Sequence, residues 1–123
     1  MNWANLYVLF PGNARKALTY YADVFGSELL IHLEDPSGRI GHAELRGRVS
    51  LFGSDGDEGD IRMESMMLSI LVAEPDLLRG WFDRLADGGT VLDPLAKRPW
   101  GDYDGQVRDR YGLRWLIGFQ DRS

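Results

Sequence analysis

The 123-residue sequence has no cysteine, which removes disulfides, thiolate nucleophiles and thiolate-ligated zinc. It has only two histidines, His32 and His42. Basic residues are outnumbered, 14 Lys and Arg against 19 Asp and Glu, for a formal net charge of −5. No basic stripe is present, so nucleic acid is not an expected partner. No apolar run approaches the ~20 residues of a membrane helix, and MNWANLYVLFPGNARK carries no basic stretch leading into a long apolar one. Neither a membrane nor export is expected, and the cytoplasm is the expected location. Motifs of the G-x-S-x-G, P-loop and G-x-G-x-x-G types are also missing.

What is present is an apolar fraction of 44%, with four Trp, five Tyr and five Phe, enough for one folded domain over residues 1–123. Trp3 to Phe10 reads as a strand, ended by Pro11-Gly12. Asn13 is placed to cap a helix through ARKALTYYADVF, closed by Gly26, with Ala14, Leu18, Ala22 and Phe25 as its apolar stripe and Tyr21 on the border. SELLIHLED, IGHAELRG and RVSLFGSD read as three strands, the first two parted by Pro36-Ser37-Gly38 and the last two by Gly47. After the acidic DGDEGD loop the pattern restarts. SMMLSILVA is a strand; Asp76 opens a helix through LLRGWFDRLAD to Gly88-Gly89; TVLDPL, DGQVRDR and LRWLIGF follow as strands. Leu77, Trp81, Leu85 and Gly88 repeat the first stripe at a shift of 63 residues. This layout predicts an α+β fold of two βαβββ modules, about 3–54 and 65–120. Two sheets, each backed by a helix, are expected to form a half-closed barrel around a cavity.

His42 and Glu44 are two residues apart in a strand, so both project from one face while Ala43 and Leu45 take the other. The apolar pair suits the helix side, which turns His42 and Glu44 toward the cavity. Two readings stand. In one, Glu44 orients and charges His42 for acid/base work or ligand binding. In the other, both belong to a solvated structural network. The turn-rich KRPWGDYDGQ brackets Trp100 between Pro99 and Gly101 and offers Trp100 and Tyr103 as a flat pocket wall or a plug. Met63, Met66 and Met67 read as adaptable packing, with Met67 near the cavity. Trp115 reads as core, Asp109-Arg110 as a structural ion pair, and Arg114 as facing inward toward an anionic ligand or Glu44.

LYVLFPGNARKALTYYADVFGSEL, GHAEL, DGG at Asp87 to Gly89, Pro94-Leu95 and WGDYDGQVRDRYGLRW resemble PhnB-like proteins of the vicinal oxygen chelate superfamily, the glyoxalase and bleomycin-resistance fold. The resemblance runs from about Leu6 to Phe119. It implies paired βαβββ modules and a homodimer. It also implies a divalent metal held by His, Gln or Glu from the first and last strand of each module. At those places stand Leu6, Ser50 or Leu51, Met67 and Leu116, none of them a ligand for such a cation. No metal and no cofactor are therefore expected.

The expected function is binding of a small organic molecule, neutral or cationic, in a dimeric cavity. His42 and Glu44 would give it polarity, and Met67, Trp100, Tyr103 and Leu116 an apolar wall. The alternative is a lyase, isomerase or dioxygenase of the same superfamily, working through unforeseen metal ligands or through His42.

Overall fold

A computed structural model describes residues 4–57 and 59–120. The chain divides into two compact units, split after Ile61. The first holds β1 (Tyr7–Phe10), α1 (Ala14–Phe25), β2 (Glu28–Glu34), β3 (Ile40–Arg46) and β4 (Leu51–Asp55). The second holds β5 (Leu68–Leu71), α2 (Pro75–Ala86), β6 (Thr90–Lys97), β7 (Asp102–Arg108) and β8 (Arg114–Gln120). The two βαβββ modules of the sequence analysis are thus both present. Each sheet has the same order, β1-β4-β3-β2 and β5-β8-β7-β6, with the first and last strands of the module parallel and adjacent. The expected strand at Trp3 begins at Tyr7; Trp3 itself lies outside the described residues.

In the first unit α1 packs on β2, β3 and β4. Its buried residues are Ala14, Ala17, Leu18, Tyr21, Val24 and Phe25, set against Val8, Phe10, Ala43, Leu45 and Leu51 of the sheet. The stripe is therefore broader than expected: Tyr21 is wholly buried, and Ala22 is only half-buried. Gly26 closes the helix in the left-handed region (φ 66°), donating its N–H to the Ala22 carbonyl, as its position foretold.

The helix start departs from expectation. Asn13 makes no side-chain cap, and its Oδ1 is buried without a hydrogen-bond partner. The acceptor comes instead from the end of β4. Asp55 Oδ1 accepts from the Ala14 N–H at 2.9 Å, and Oδ2 accepts from the Ile40 N–H at 2.8 Å. One carboxylate thereby ties the helix N-terminus to the start of β3, where the helix dipole also favours an anion.

In the second unit α2 packs on β6, β7 and β8, burying Leu78, Trp81, Phe82 and Leu85. The helix starts two residues earlier than its repeat suggested. Pro75 occupies the first turn, with Asp76 inside it as a favourable charge and not as the cap. The two 12-residue helices are consequently offset by 61 residues, and the buried stripe runs through Leu78 and Phe82 in place of Leu77 and Gly88. Phe82 reaches the sheet because residue 105 is glycine: a Cβ there would meet the ring at 2.9 Å and the Leu95 backbone at 2.7 Å.

Trp115 is fully buried, as expected, and its indole N–H donates to Asp109 Oδ2 at 2.8 Å. Asp109 Oδ1 accepts from the N–H groups of Tyr111 and Leu113. Asp109 is thus the organiser of the DRYGLRW turn. Arg110 donates to the Asp87 carbonyl at the end of α2, a second anchor of the same turn. Met63 is buried, but Met66 and Met67 are exposed and lie ahead of β5, so they do not pack as expected.

Replacement of Asp55 by Ala is expected to cost about 2 kcal/mol, since a charge-assisted cap and a strand anchor are lost together. Asn13→Ala should change stability by about 0.5 kcal/mol or less, as expected where no cap is lost. Urea unfolding of the two variants checks the ordering.

Candidate functional site

Each helix seals one face of its sheet, so chemistry is confined to the other, here called the open face. On β3 the burial alternates as expected, Ala43 and Leu45 toward α1 and His42 and Glu44 on the open face. They do not bond to each other. His42 Nδ1 lies 3.2 Å from the Tyr7 hydroxyl of β1, within hydrogen-bond distance. Glu44 accepts from His32 Nε2–H of β2 at 3.1 Å and from Nε and a terminal nitrogen of Arg46 at 3.1 and 3.0 Å. The reading in which Glu44 orients and charges His42 is therefore corrected: the partner of Glu44 is His32, and that of His42 is Tyr7.

The cause is strand register. Ile31 pairs with Ala43 and Leu33 with His42, so His32 is an extra residue in β2. Such a bulge bends the strand and re-aims a side chain. His32 is brought flat against His42, ring centroids 5.5 Å apart and planes 26° apart. His42 in turn stacks on Phe52 at 5.5 Å, and Phe52 on Tyr7 at 6.3 Å. A row of rings, Tyr7, Phe52, His42 and His32, therefore crosses all four strands. Glu44 and Arg46 flank it, and a polar hollow of about 240 Å³ opens beside Glu44, Asn5 and Ser50.

The Arg46 guanidinium, and next the His32 imidazole, hold the Glu44 carboxyl below the ordinary carboxylate range, outweighing its partial desolvation. Arg46 is correspondingly raised, chiefly by its hydrogen bonds to Glu44. The pairing is thus complete above the ordinary glutamate value of 4.5 and is lost as pH falls through the lower, folded-state value.

The second unit carries a cleft of about 510 Å³. Leu71, Val72 and Ala73 at the end of β5 form one side, Leu116 and Gly118 of β8 the floor, and Trp100, Asp102 and Asp104 the other side. The structure brings Trp100, Tyr103 and Leu116 together here. Trp100 sits on a tight turn closed by the Gly101 N–H to the Arg98 carbonyl and is 68% exposed. Tyr103 borders the cleft, yet its ring stacks on Phe119 at 5.1 Å with Arg79 of α2 over both rings. Its ring is therefore committed to the helix side. Arg98 clamps the loop, donating to Asp104 Oδ1 at 2.7 Å and to Asp93 Oδ2 at 3.0 Å. Arg114 donates to Gln106 Oε1 and to the Glu64 carbonyl, while Glu44 is answered by Arg46. Met67 is not part of the cleft lining.

The chain is similar along nearly all of its length to known proteins. Residues 3–117 match the model of the Glyoxalase/Bleomycin resistance protein/Dioxygenase superfamily. The chain belongs to that superfamily. It is 24% identical over 133 residues to Protein YjdN of Escherichia coli K12, covering 90% of each chain. Among solved structures, protein PA1353 of Pseudomonas aeruginosa superposes with a TM-score of 0.81 at 26% identity, over 98% of each chain. A PhnB protein of Bacillus cereus, a putative 3-demethylubiquinone-9 3-methyltransferase, superposes at 0.83 with 23% identity, over 96% of this chain and 99% of that one, a likeness of fold. The PhnB-like resemblance of the sequence is in keeping with these matches.

The resemblance implies a metal on the first and last strands of each module, and the residues present do not fit one. Alternation puts Tyr7 and Phe52 on the open face of β1 and β4, in place of Leu6 and Leu51; Leu51 is buried toward α1. On β5 and β8 the open-face pairs are Ser69 with Leu116 and Leu71 with Gly118. Phenol, phenyl, hydroxymethyl and alkyl groups do not make a divalent cation site of His, Gln and Glu type. Among the described residues, no three His, Asp or Glu side chains converge to hold an ion.

A carboxyl-carbon NMR titration should show Glu44 with a midpoint below that of an unpaired glutamate, and Arg46→Ala should raise it toward 4.5.

Proposed function

We propose that this superfamily member binds a small organic molecule, without a metal, and works as a homodimer. The carrying observation is the second-unit cleft, walled by Leu71, Val72, Trp100 and Leu116 and rimmed by carboxylates. Its volume lies in the range of small-molecule sites. An exposed indole is costly to leave in water and supplies flat contact area to an aromatic or conjugated ligand. Arg98 occupies Asp104, and Asp102 remains at the cleft as the carboxylate best placed for a ligand donor. A neutral or cationic ligand fits these groups and the acidic balance of the chain better than an anion. The first sheet, by itself, presents His42 and Glu44, with Tyr7 and His32, as a separate polar surface. Tyr103 contributes to the site as a support for the loop; Met67 remains an exposed apolar contact beside β5.

A thermal-shift screen of aromatic and cationic small molecules tests this reading. A true ligand at about 100 times its Kd should add roughly 2.7 kcal/mol of stability. Trp100→Ala should weaken it about tenfold or more, through loss of aromatic contact. Hits whose affinity is unchanged by both Trp100→Ala and His42→Ala would contradict the assignment.

A further inference from the structure

The hairpin that carries Trp100 leaves one carboxylate at the second-unit cleft without a counter-charge. Its loop is Pro99-Trp100-Gly101. The Gly101 N–H donates to the Arg98 carbonyl at 2.9 Å, and the Arg98 N–H donates to the Asp102 carbonyl at 2.7 Å. Gly101 lies in the left-handed region (φ 99°), as such a short hairpin loop requires. Asp102 and Asp104 follow at alternate positions of β7, so both take the open face, and both line the cleft. Arg98 commits its fork to Asp104 Oδ1 at 2.7 Å, Asp93 Oδ2 at 3.0 Å and the Asp104 carbonyl at 2.9 Å. Among the described residues, no hydrogen bond or ion pair reaches the Asp102 carboxylate. The other nearby cations belong to the helix side: Arg79 lies over the Tyr103 and Phe119 rings, and Lys97 pairs in register with Tyr103. The described lining of the cleft has no Lys, Arg or His.

We propose, building on the binding reading above, that the cleft selects a flat aromatic cation of single positive charge, with Asp102 setting that specificity and Arg98 as a positioning residue. The ring system lies on the Trp100 indole and against Leu71 and Leu116, and its charge meets Asp102 across the Gly101 turn. An indole face also attracts a cation more strongly than other aromatic side chains do. A neutral ring of the same shape gains the stacking and leaves the carboxylate to water. An anion is repelled by Asp102 and Asp104 together. A second positive charge finds no free carboxylate in the lining, because Arg98 already answers Asp104. Gly118 keeps the floor flat: a Cβ there would meet Leu71 Cδ2 and the Tyr103 carbonyl at 2.8 Å. Arg98 is not part of the lining; it acts by holding the hairpin so that Trp100 and Asp102 stand at the same cleft.

Two probes of one shape separate charge from stacking: 1-methylquinolinium and 1-methylnaphthalene, which differ in the ring nitrogen that carries the positive charge. Titrated into the unmodified protein and followed by the indole N–H signals in NMR, the cation should bind at least about tenfold more tightly than its neutral counterpart. This comparison does not depend on how any variant folds. Asp102→Asn should bring the cation down to the affinity of the neutral probe and leave the neutral probe within about twofold of its starting value. Arg98→Lys keeps the charge and loses the fork, and should weaken both probes. Its effect should shrink when Trp100 is already alanine, a coupling that a merely structural role would not produce. Equal affinity for the two probes, no binding of the cation, an Asp102→Asn protein that still prefers the cation, or an Arg98→Lys loss undiminished in the Trp100→Ala background would each overturn the proposal. Equal binding of both probes that still depends on Trp100 would leave the binding reading standing.

Discussion

One constraint organises both halves of the chain: a β-strand shows alternate residues to opposite faces, and a single helix can cover only one of them. In the first unit α1 claims Val8, Phe10, Ala43, Leu45 and Leu51, and in the second α2 claims Val107, Trp115, Ile117 and Phe119. Every residue between them is forced to the open face. Tyr7, His42, Glu44 and Phe52 in one sheet, and Ser69, Leu71, Leu116 and Gly118 in the other, owe their position to that division more than to any local motif. Slipping one strand by a single residue would send its polar set under the helix, where an unpartnered carboxylate or imidazole is heavily penalised.

The same constraint explains what could be read before a structure. Helix α1, its glycine stop at Gly26, the β3 alternation and the burial of Trp115 follow from residue order alone, because each depends on near neighbours. Trp100 was legible as a loop aromatic for the same reason, being set between Pro99 and Gly101. What escaped depends on partners distant in the chain. The cap of α1 is Asp55, 41 residues from the N–H it accepts, and nothing near Asn13 announces it. The true partner of Glu44 is His32, whose place is set by a bulge that periodicity does not reveal. The phase of α2 was misplaced because Gly88-Gly89 was matched to Gly26, whereas Pro75 sets the start.

Superfamily membership fixes the architecture and leaves the chemistry to the residues on it. Where the resemblance implies a ring of metal ligands, the open faces of the edge and neighbouring strands carry Tyr7, Phe52, Ser69, Leu71 and Leu116. Polar capacity has not vanished; it centres on β3, in the His32–Glu44–Arg46 chain and the Tyr7–His42 pair. Those groups suit hydrogen bonding, and the second unit's cleft suits apolar contact. The proposed metal-free binding separates the fold from the cation chemistry associated with it.

Elemental analysis tests that separation most directly. The protein would be purified without chelator from cells grown with added zinc, manganese, iron and nickel, then dialysed. The side chains on the open faces predict far less than one equivalent of any of these metals per chain. One tightly held equivalent that survives dialysis would contradict the account.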